Sequence, residues 1–306
     1  MNKIADSFRK IMPKEKIYLD KDMTHEVTFR AGGKAAILVE PENPQQLKDI
    51  LQIIDREKVP FFIMGNGSNL LVRDGGFNGV IVKISGQAFN FIDMASDGTT
   101  VTVGGGVLMG RLSSFLVENS LSGFEFASGI PGTIGGAVFM NAGAYGGEIK
   151  DVLVSAKLLA KNGSKEYTLS AEELKLTYRH SLLHETGDIV LEATFEFVKK
   201  DQAEIKAKIK DFTSQRREKQ PVNYPSAGST FKSPEGYFAA KLIQDAGLKG
   251  LSYGGAEVST LHSGFVVNKG GATATDILNV MEHVQRVVKA EYGVLLEPEV
   301  RILGED

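Results

Sequence analysis

The stretch from Gly123 to Gly147, GFEFASGIPGTIGGAVFMNAGAYGG, constrains the fold more than any other part of the 306-residue chain. Glycine recurs through it, Pro131 interrupts it, and Glu125 is its only charged side chain. It is too polar and too broken to span a membrane. It reads as backbone brought close to something: glycines accept positive φ and remove the Cβ that would hold a ligand away, leaving peptide N–H groups free to point inward. A pyrophosphate suits such a surface. Taken alone, the stretch is equally compatible with a glycine-rich core turn.

A second loop of the same character lies upstream. Gly65-Asn66-Gly67-Ser68-Asn69 follows the apolar run Phe61–Met64, which stands behind Pro60 and reads as a short buried strand. The loop lacks the third glycine of the dinucleotide fingerprint GxGxxG, and nothing in the chain matches GxxxxGK[ST]. Neither a Rossmann unit nor a P-loop is supported.

A net charge of −3, a pI of about 6.0 and the lack of a long basic run exclude nucleic acid as an expected partner. The chain has no cysteine, which excludes disulfides, thiolate metal sites, Fe–S clusters and cysteinyl attachment of a cofactor. His180 and His184 stand four apart without the carboxylate of an HExxH helix, so no metal site is expected. The N-terminus has no apolar h-region and no stretch is long enough to span a bilayer, which predicts a cytoplasmic enzyme without membrane insertion.

In chain order, residues 1–20 form a short amphipathic helix. A strand at 36–40 leads to a helix over 44–57, capped by Asn43 with Pro44 at its first position, then to the strand 61–64 and a further strand at 79–84. A polar, turn-rich segment at 85–98 marks a subdomain boundary. A strand at 99–103 and a helix at 107–118 precede the glycine stretch. Strands at 152–160 and 165–169 make a hairpin through Lys161-Asn162-Gly163-Ser164. Ser170 and Glu173 form a capping box opening a brief helix, and a strand follows at 189–198. A charged helix at 202–219 runs into a proline-bearing linker, 216–228. The last part carries a helix at 237–246, a strand at 264–268, a helix at 275–292 stopped by Gly293, and a strand at 294–303. In that strand alternation puts Leu296, Val300 and Ile302 on one face and Glu297, Glu299 and Arg301 on the other, while Pro298 restricts it to an edge or bulge.

Three polar groups remain ambiguous on pattern alone. Glu297, Glu299 and Arg301 read equally as a solvated face, Arg179 in Tyr178-Arg179-His180-Ser181 as a surface residue, and Gly228–Pro234 as a polar turn.

Taken together, FRAGGKA, GNGSNLLV, SGIPGTIGGAVFMNAGAYGGEI, YRHS, AGSTFKSP, LIQDAGLKG and LEPEVRILG resemble the bacterial UDP-N-acetylenolpyruvoylglucosamine reductases, also called UDP-N-acetylmuramate dehydrogenases. The likeness runs from Thr28 to Gly304. It implies an α+β chain with an FAD-binding fold of the p-cresol methylhydroxylase and vanillyl-alcohol oxidase type. Two α/β subdomains at 1–85 and 86–215 would precede a C-terminal α+β substrate domain at 216–306, whose last strand can return toward the flavin.

The resemblance also implies non-covalent FAD, NADPH as reductant, and UDP-N-acetylglucosamine enolpyruvate as the substrate reduced to UDP-N-acetylmuramate for peptidoglycan. Hydride passes from flavin N5 to the enolpyruvyl C3. The charge pushed onto the carboxyl oxygens requires a fixed cation or donor there, and C2 requires an acid. The family's motifs carry these roles onto Arg179 and Glu299 at the carboxyl group and onto Ser229 as the proton donor. A glutamate beside a substrate carboxylate is tolerated only when protonated or paired with a cation such as Arg179.

For FAD the resemblance implies Gly65, Asn66, Gly67, Ser68, Asn69, Ser128, Gly129, Ile130, Pro131, Gly132, Thr133, Gly135, Gly136, Asn141, Ala142, Gly143 and Ala144. For the UDP-sugar it implies Tyr237, Lys249 and His262. The chain is similar to the shorter form of the family, without the extra loop that bears a substrate-covering tyrosine. The alternatives are another FAD-dependent oxidoreductase of the same fold acting on a small alcohol or sugar lactone, and a catalytically silent nucleotide-binding module.

Overall fold

The computed structural model describes residues 1–305. The chain divides into two compact units, neither of them a continuous stretch. The first comprises Met1–Leu19, Ile37–Asn66 and Gly79–Ser214; the second comprises Asp20–Ala36, Gly67–Asn78 and Gln215–Asp306.

In the first unit, the helix Pro44–Glu57 begins as its sequence dictates. The Asn43 side chain accepts from the Gln46 amide, and Pro44 occupies a position whose missing N–H costs nothing. Its Leu47, Ile50, Leu51 and Ile54 are buried in one cluster with Val80 and Val82 of the strand Phe77–Lys83. That strand pairs in parallel with Phe61–Met64, Phe61 opposite Val80, in a four-stranded sheet whose other two strands, Lys34–Val39 and Ile17–Asp22, belong to this unit through Ile37–Val39 and Ile17–Leu19. A five-stranded antiparallel sheet runs in the order Glu166–Ser170, Leu153–Leu159, Ile189–Glu196, Thr100–Gly104, Ile92–Met94. It is cored by Val101, Val103, Ala156, Leu158 and Phe195 with the buried faces of the helices Met109–Glu118 and Ile134–Met140.

The second unit holds a three-stranded antiparallel sheet, Ser252–Tyr253, Ala256–Val258 and Val266–Asn268. Beside it runs the helix Ala274–Tyr292, which buries Ile277, Val280, Met281, Val284 and Val288 and ends at Gly293 in the left-handed region. Arg301–Leu303 pairs in parallel with Leu70–Val72.

Several expectations give way here. The strand expected over 294–303 is reduced to Arg301–Leu303. Pro298 offers no donor, and it makes only an isolated antiparallel bridge with Phe231. Leu296 and Val300 are buried as the alternation requires, but Ile302 is 37% exposed. Ser170 and Glu173 exchange their capping bonds, at 3.2 Å and 2.8 Å, yet no helix follows, because Lys175 turns into the left-handed region and Leu182 N–H closes on Leu174 O. The helix Ile134–Met140 inside the glycine stretch, and the strands Ile17–Asp22 and Leu70–Val72, are additions to what the pattern announced.

The start of Ala274–Tyr292 shows why one short segment, Gly67–Asn78, belongs to the second unit. Asp74 accepts from the amides of Ala274 (2.9 Å) and Thr275 (2.7 Å) and from the Thr275 hydroxyl (2.6 Å). Thr273 and Asp276 satisfy the adjacent amides through a capping box. Burial pushes the Asp74 carboxyl up, but these three donors outweigh it and hold it below the ordinary carboxylate value. Its stabilisation is therefore complete above the unfolded-state pKa and is lost as pH falls through the folded one. Asp74→Ala is expected to cost about 1 kcal/mol at neutral pH, the carboxylate being exposed enough for solvent screening, and less in acid. Urea unfolding at pH 7 and pH 3 checks this; an equal loss at both would contradict it.

Candidate active site

In the first unit the two glycine loops meet. A Cβ on Gly65 would stand 2.2 Å from the Thr133 hydroxyl oxygen, a contact only glycine allows. The Asn66 side chain donates to the Pro131 carbonyl at 2.6 Å. Thr133 caps Ile134–Met140 by accepting from the Gly136 amide at 3.4 Å. The far side of the loop is fastened by Met109 N–H to Gly132 O (3.0 Å), Ile134 N–H to Val107 O (2.8 Å) and Gly135 N–H to Gly105 O (2.8 Å). Gly105 must itself be glycine, since a Cβ there would lie 2.3 Å from Val190 O. The run Gly104-Gly105-Gly106 was the signal for it, and the motif reading passed over it.

Gly129, Pro131 and Gly136 are exposed, while Ser128 beside them is buried and its hydroxyl has no hydrogen-bond partner among the described residues. An exposed run of glycine and proline backbone next to a buried hydroxyl with an unspent donor fits an anionic dinucleotide such as FAD.

The end of the glycine stretch carries Arg179. Gly143–Ala144 pairs antiparallel with Gly147–Glu148, Gly143 opposite Glu148. Tyr145 at the tip, with φ 52°, stacks on Phe212 of the helix Gln202–Lys219 at 4.6 Å and 8°. The Arg179 guanidinium donates to Gly143 O at 3.1 Å and lies 5.0 Å from the Tyr178 ring centroid. Arg179 is half-buried with φ 54°, in a turn closed by Thr177 and His180. His184 stacks on Phe139 and on His180, which accounts for the histidine pair as ring packing.

In the second unit Gly67, Ser68 and Asn69 continue the upstream loop. Gly67 (φ 62°) would place a Cβ 2.2 Å from Glu26 O. The Asn69 side chain donates to Glu299 O at 3.0 Å, and Asn69 O accepts from Arg301 N–H at 3.0 Å. Glu299 N–H in turn donates to Thr230 O at 2.9 Å. Thr230 is fully buried: its amide donates to Gly264 O (2.8 Å) and its hydroxyl accepts from Val266 N–H (2.9 Å). Ser229, half-buried, stands between this anchored threonine and left-handed Gly228, one residue before the Thr230 carbonyl that accepts from Glu299 N–H. Thr230 has no reactive role, which is why motif reading passed it over.

Lys249 is exposed and close enough to act on His262 electrostatically; Tyr237 is half exposed at the turn before the helix Ala239–Asp245. Burial pushes the His262 imidazole below its ordinary value; a backbone hydrogen bond opposes this and the Lys249 charge adds to it. Gly264 N–H donates to Nδ1 at 3.2 Å, which puts the proton of the neutral ring on Nε2. We expect the His262 ring signals to titrate below 6.5, because the ring is buried. An NMR midpoint at or above 6.5 would contradict that burial.

Comparison with known proteins places these observations in a family. Residues 35–166 match the family described as FAD binding domain, and residues 220–303 match UDP-N-acetylenolpyruvoylglucosamine reductase, C-terminal domain. A UDP-N-acetylenolpyruvoylglucosamine reductase of Clostridium perfringens (strain SM101 / Type A) is 53% identical over 293 residues, covering 95% of this chain and 94% of that protein. One from Caldanaerobacter subterraneus subsp. tengcongensis is 45% identical over 302 residues, covering 99% and 98%. The crystal structure of UDP-N-acetylenolpyruvylglucosamine reductase from Thermus caldophilus matches with a TM-score of 0.79 at 32% identity, over 94% of this chain and 98% of that one. Phl p 4.0202, a glucose dehydrogenase, matches at 14% identity with a TM-score of 0.52, over 65% of this chain and 44% of that one. The last likeness concerns the fold alone, and with the others it shows the FAD-binding fold of the vanillyl-alcohol oxidase and p-cresol methylhydroxylase type in a mixed α and β chain.

Proposed function

The chain belongs to the UDP-N-acetylenolpyruvoylglucosamine reductase family, and from that premise we propose that it reduces UDP-N-acetylglucosamine enolpyruvate to UDP-N-acetylmuramate with electrons from NADPH. The setting is the cytoplasm, for peptidoglycan precursor synthesis; no helix among the described residues is long and apolar enough to cross a membrane. The observation that carries this reading is the extent of the likeness. Relatives of that name align over nearly the whole chain, and the matched C-terminal region contains both Ser229 and Glu299.

When bound, FAD supplies a two-electron carrier that holds the hydride at N5. We assign its pyrophosphate to the backbone of Gly65–Asn69 and Gly129–Gly136, with the Ser128 hydroxyl as a further donor and Ala142–Ala144 alongside; Asn141, expected there too, is 0% exposed with its carboxamide engaged by Glu148, Thr177 and Lys150, and we leave it out of the cofactor site. We place its two subdomains within 1–85 and 86–215 and the sugar nucleotide on 216–306, with Asp20–Ala36 and Gly67–Asn78 counted in the compact unit of the C-terminal residues.

We assign Arg179 to the enolpyruvyl carboxylate, which a guanidinium can grip bidentately. Hydride arriving at C3 moves an electron pair onto C2 and the carboxyl oxygens. Arg179 stabilises that charge directly, Glu299 does so only when protonated or paired with that cation, and a proton from Ser229 at C2 completes the saturated lactyl ether. A hydroxyl is a weak acid, so it serves only a strongly basic carbon and is resupplied by water. Lys249 offers the cation a diphosphate requires. With NADPH and the enolpyruvyl substrate, mass spectrometry is expected to show a product heavier by two hydrogens for each NADPH consumed. NADPH consumed only in the presence of oxygen, with the sugar nucleotide unchanged, would overturn the assignment.

A further inference from the structure

We propose that Asn141 is a positioning residue for Arg179, an inference that rests on reading Arg179 as the grip on the substrate carboxylate. Asn141 ends the helix Ile134–Met140 in the left-handed region, φ 41°, and is 0% exposed. That backbone role asks only for a residue that tolerates positive φ, and glycine would meet it better. The side chain carries more than the cap needs. Its Nδ2 donates to Glu148 Oε2 at 2.6 Å and to Thr177 O at 3.0 Å, and its Oδ1 accepts from Lys150 N–H at 3.0 Å. A carboxamide has two donor hydrogens and an acceptor oxygen. Here both hydrogens and the oxygen are engaged with protein.

Two of these bonds reach Arg179 from opposite ends. Thr177 closes the turn that carries Arg179: its amide donates to His180 O at 3.0 Å and His180 N–H returns to Thr177 O at 3.2 Å. The Asn141 bond to Thr177 O therefore fixes the backbone from which the arginine projects. Glu148 is the cross-strand partner of Gly143, whose carbonyl accepts from the guanidinium at 3.1 Å. The Asn141 bond to Glu148 therefore fixes the acceptor that holds the head group. Backbone and head group of one arginine are both referenced to a single buried carboxamide. Aspartate could not substitute, since it has no hydrogens to donate and would face the Glu148 carboxylate.

The test is rapid mixing of prereduced holoenzyme with the enolpyruvyl substrate, following return of the flavin band, with reduction by NADPH as the companion measurement. The variants are Asn141→Gly, Arg179→Ala and the two combined. Asn141→Gly keeps the left-handed cap and removes only the carboxamide. We expect Arg179→Ala to slow reoxidation by at least about 100-fold and Asn141→Gly by about tenfold, with reduction by NADPH unchanged. The double variant should be no slower than Arg179→Ala within about twofold, because a residue acting through Arg179 has nothing left to position. Multiplication of the two losses, or an equal loss in reduction by NADPH, would overturn the inference while leaving the role of Arg179 standing. Normal reoxidation in Arg179→Ala would instead remove that role, and this inference with it. Should Asn141→Gly fail to hold flavin, Asn141→Asp with Glu148→Gln restores the 141–148 bond in reversed polarity and leaves a carboxylate facing Thr177 O. It should show the same selective loss, and full recovery of reoxidation would overturn the inference.

Discussion

Gly65→Val is expected to purify as a colourless protein, with FAD affinity lowered by more than about 100-fold, or about 3 kcal/mol. The first added carbon alone would lie 2.2 Å from the Thr133 hydroxyl oxygen and 3.1 Å and 3.2 Å from its methyl and Cβ. Thr133 is β-branched and has few rotamers to escape into. Rotating its hydroxyl away also releases the Gly136 amide at the start of Ile134–Met140. If the loops separate instead, the 2.6 Å bond from Asn66 to Pro131 O is lost. Either way the backbone offered to the pyrophosphate is displaced, at an overpacking cost of about 1–3 kcal/mol in stability. Gly110→Ala is the control: it lies in the helix Met109–Glu118, nothing stands within 4 Å of its added Cβ, and it should keep its flavin. Flavin absorbance of the purified variant, followed by titration with FAD, decides the matter. Full flavin content in Gly65→Val would show that the meeting of the two loops does not shape the cofactor site.

Ser229→Ala should leave flavin content and reduction by NADPH intact and slow the return of the flavin band on adding the enolpyruvyl substrate by about 10²–10⁴-fold, the usual range for a lost proton donor. The change is confined to one oxygen. The chain around it is held by Thr230, whose amide, carbonyl and hydroxyl are bonded to Gly264, Glu299 and Val266, so no local collapse is expected. Stability should change by less than about 0.5 kcal/mol. Ser229→Cys, which keeps a donor, should recover part of the rate. Reoxidation at the normal rate in Ser229→Ala would mean that the proton comes from another group.

Much of the scaffold is legible in the chain because it rests on local signals. Asn43-Pro44 starts the helix Pro44–Glu57 where a side-chain cap and a missing N–H are both useful, and Asn162-Gly163 turns the hairpin between Leu153–Leu159 and Glu166–Ser170. Gly293 stops Ala274–Tyr292 in the one conformation it tolerates better than other residues. The family motifs also bring Arg179 and Ser229 forward, although pattern alone allows each an ordinary surface or turn role.

What escapes sequence reading is contact between distant segments. Nothing local announces that Gly65 packs on Thr133, that Asp74 caps a helix beginning two hundred residues later, or that Thr230, next to Ser229, is bonded to Glu299. The upstream loop reads as one GNGSN turn, yet Gly65 and Asn66 belong to the first unit and Gly67–Asn69 to the second. Ile134–Met140 is hidden because Gly135 and Gly136 oppose helix propensity, and the tertiary bonds from Gly105 and Val107 override them.

The visible spectrum of the purified protein, recorded without oxygen before and after NADPH and then after UDP-N-acetylglucosamine enolpyruvate, separates the two half-reactions. NADPH should bleach the flavin band, and the enolpyruvyl substrate alone should restore it without oxygen. A band that stays bleached until air is admitted would leave the FAD fold intact and show that the substrate is a different one.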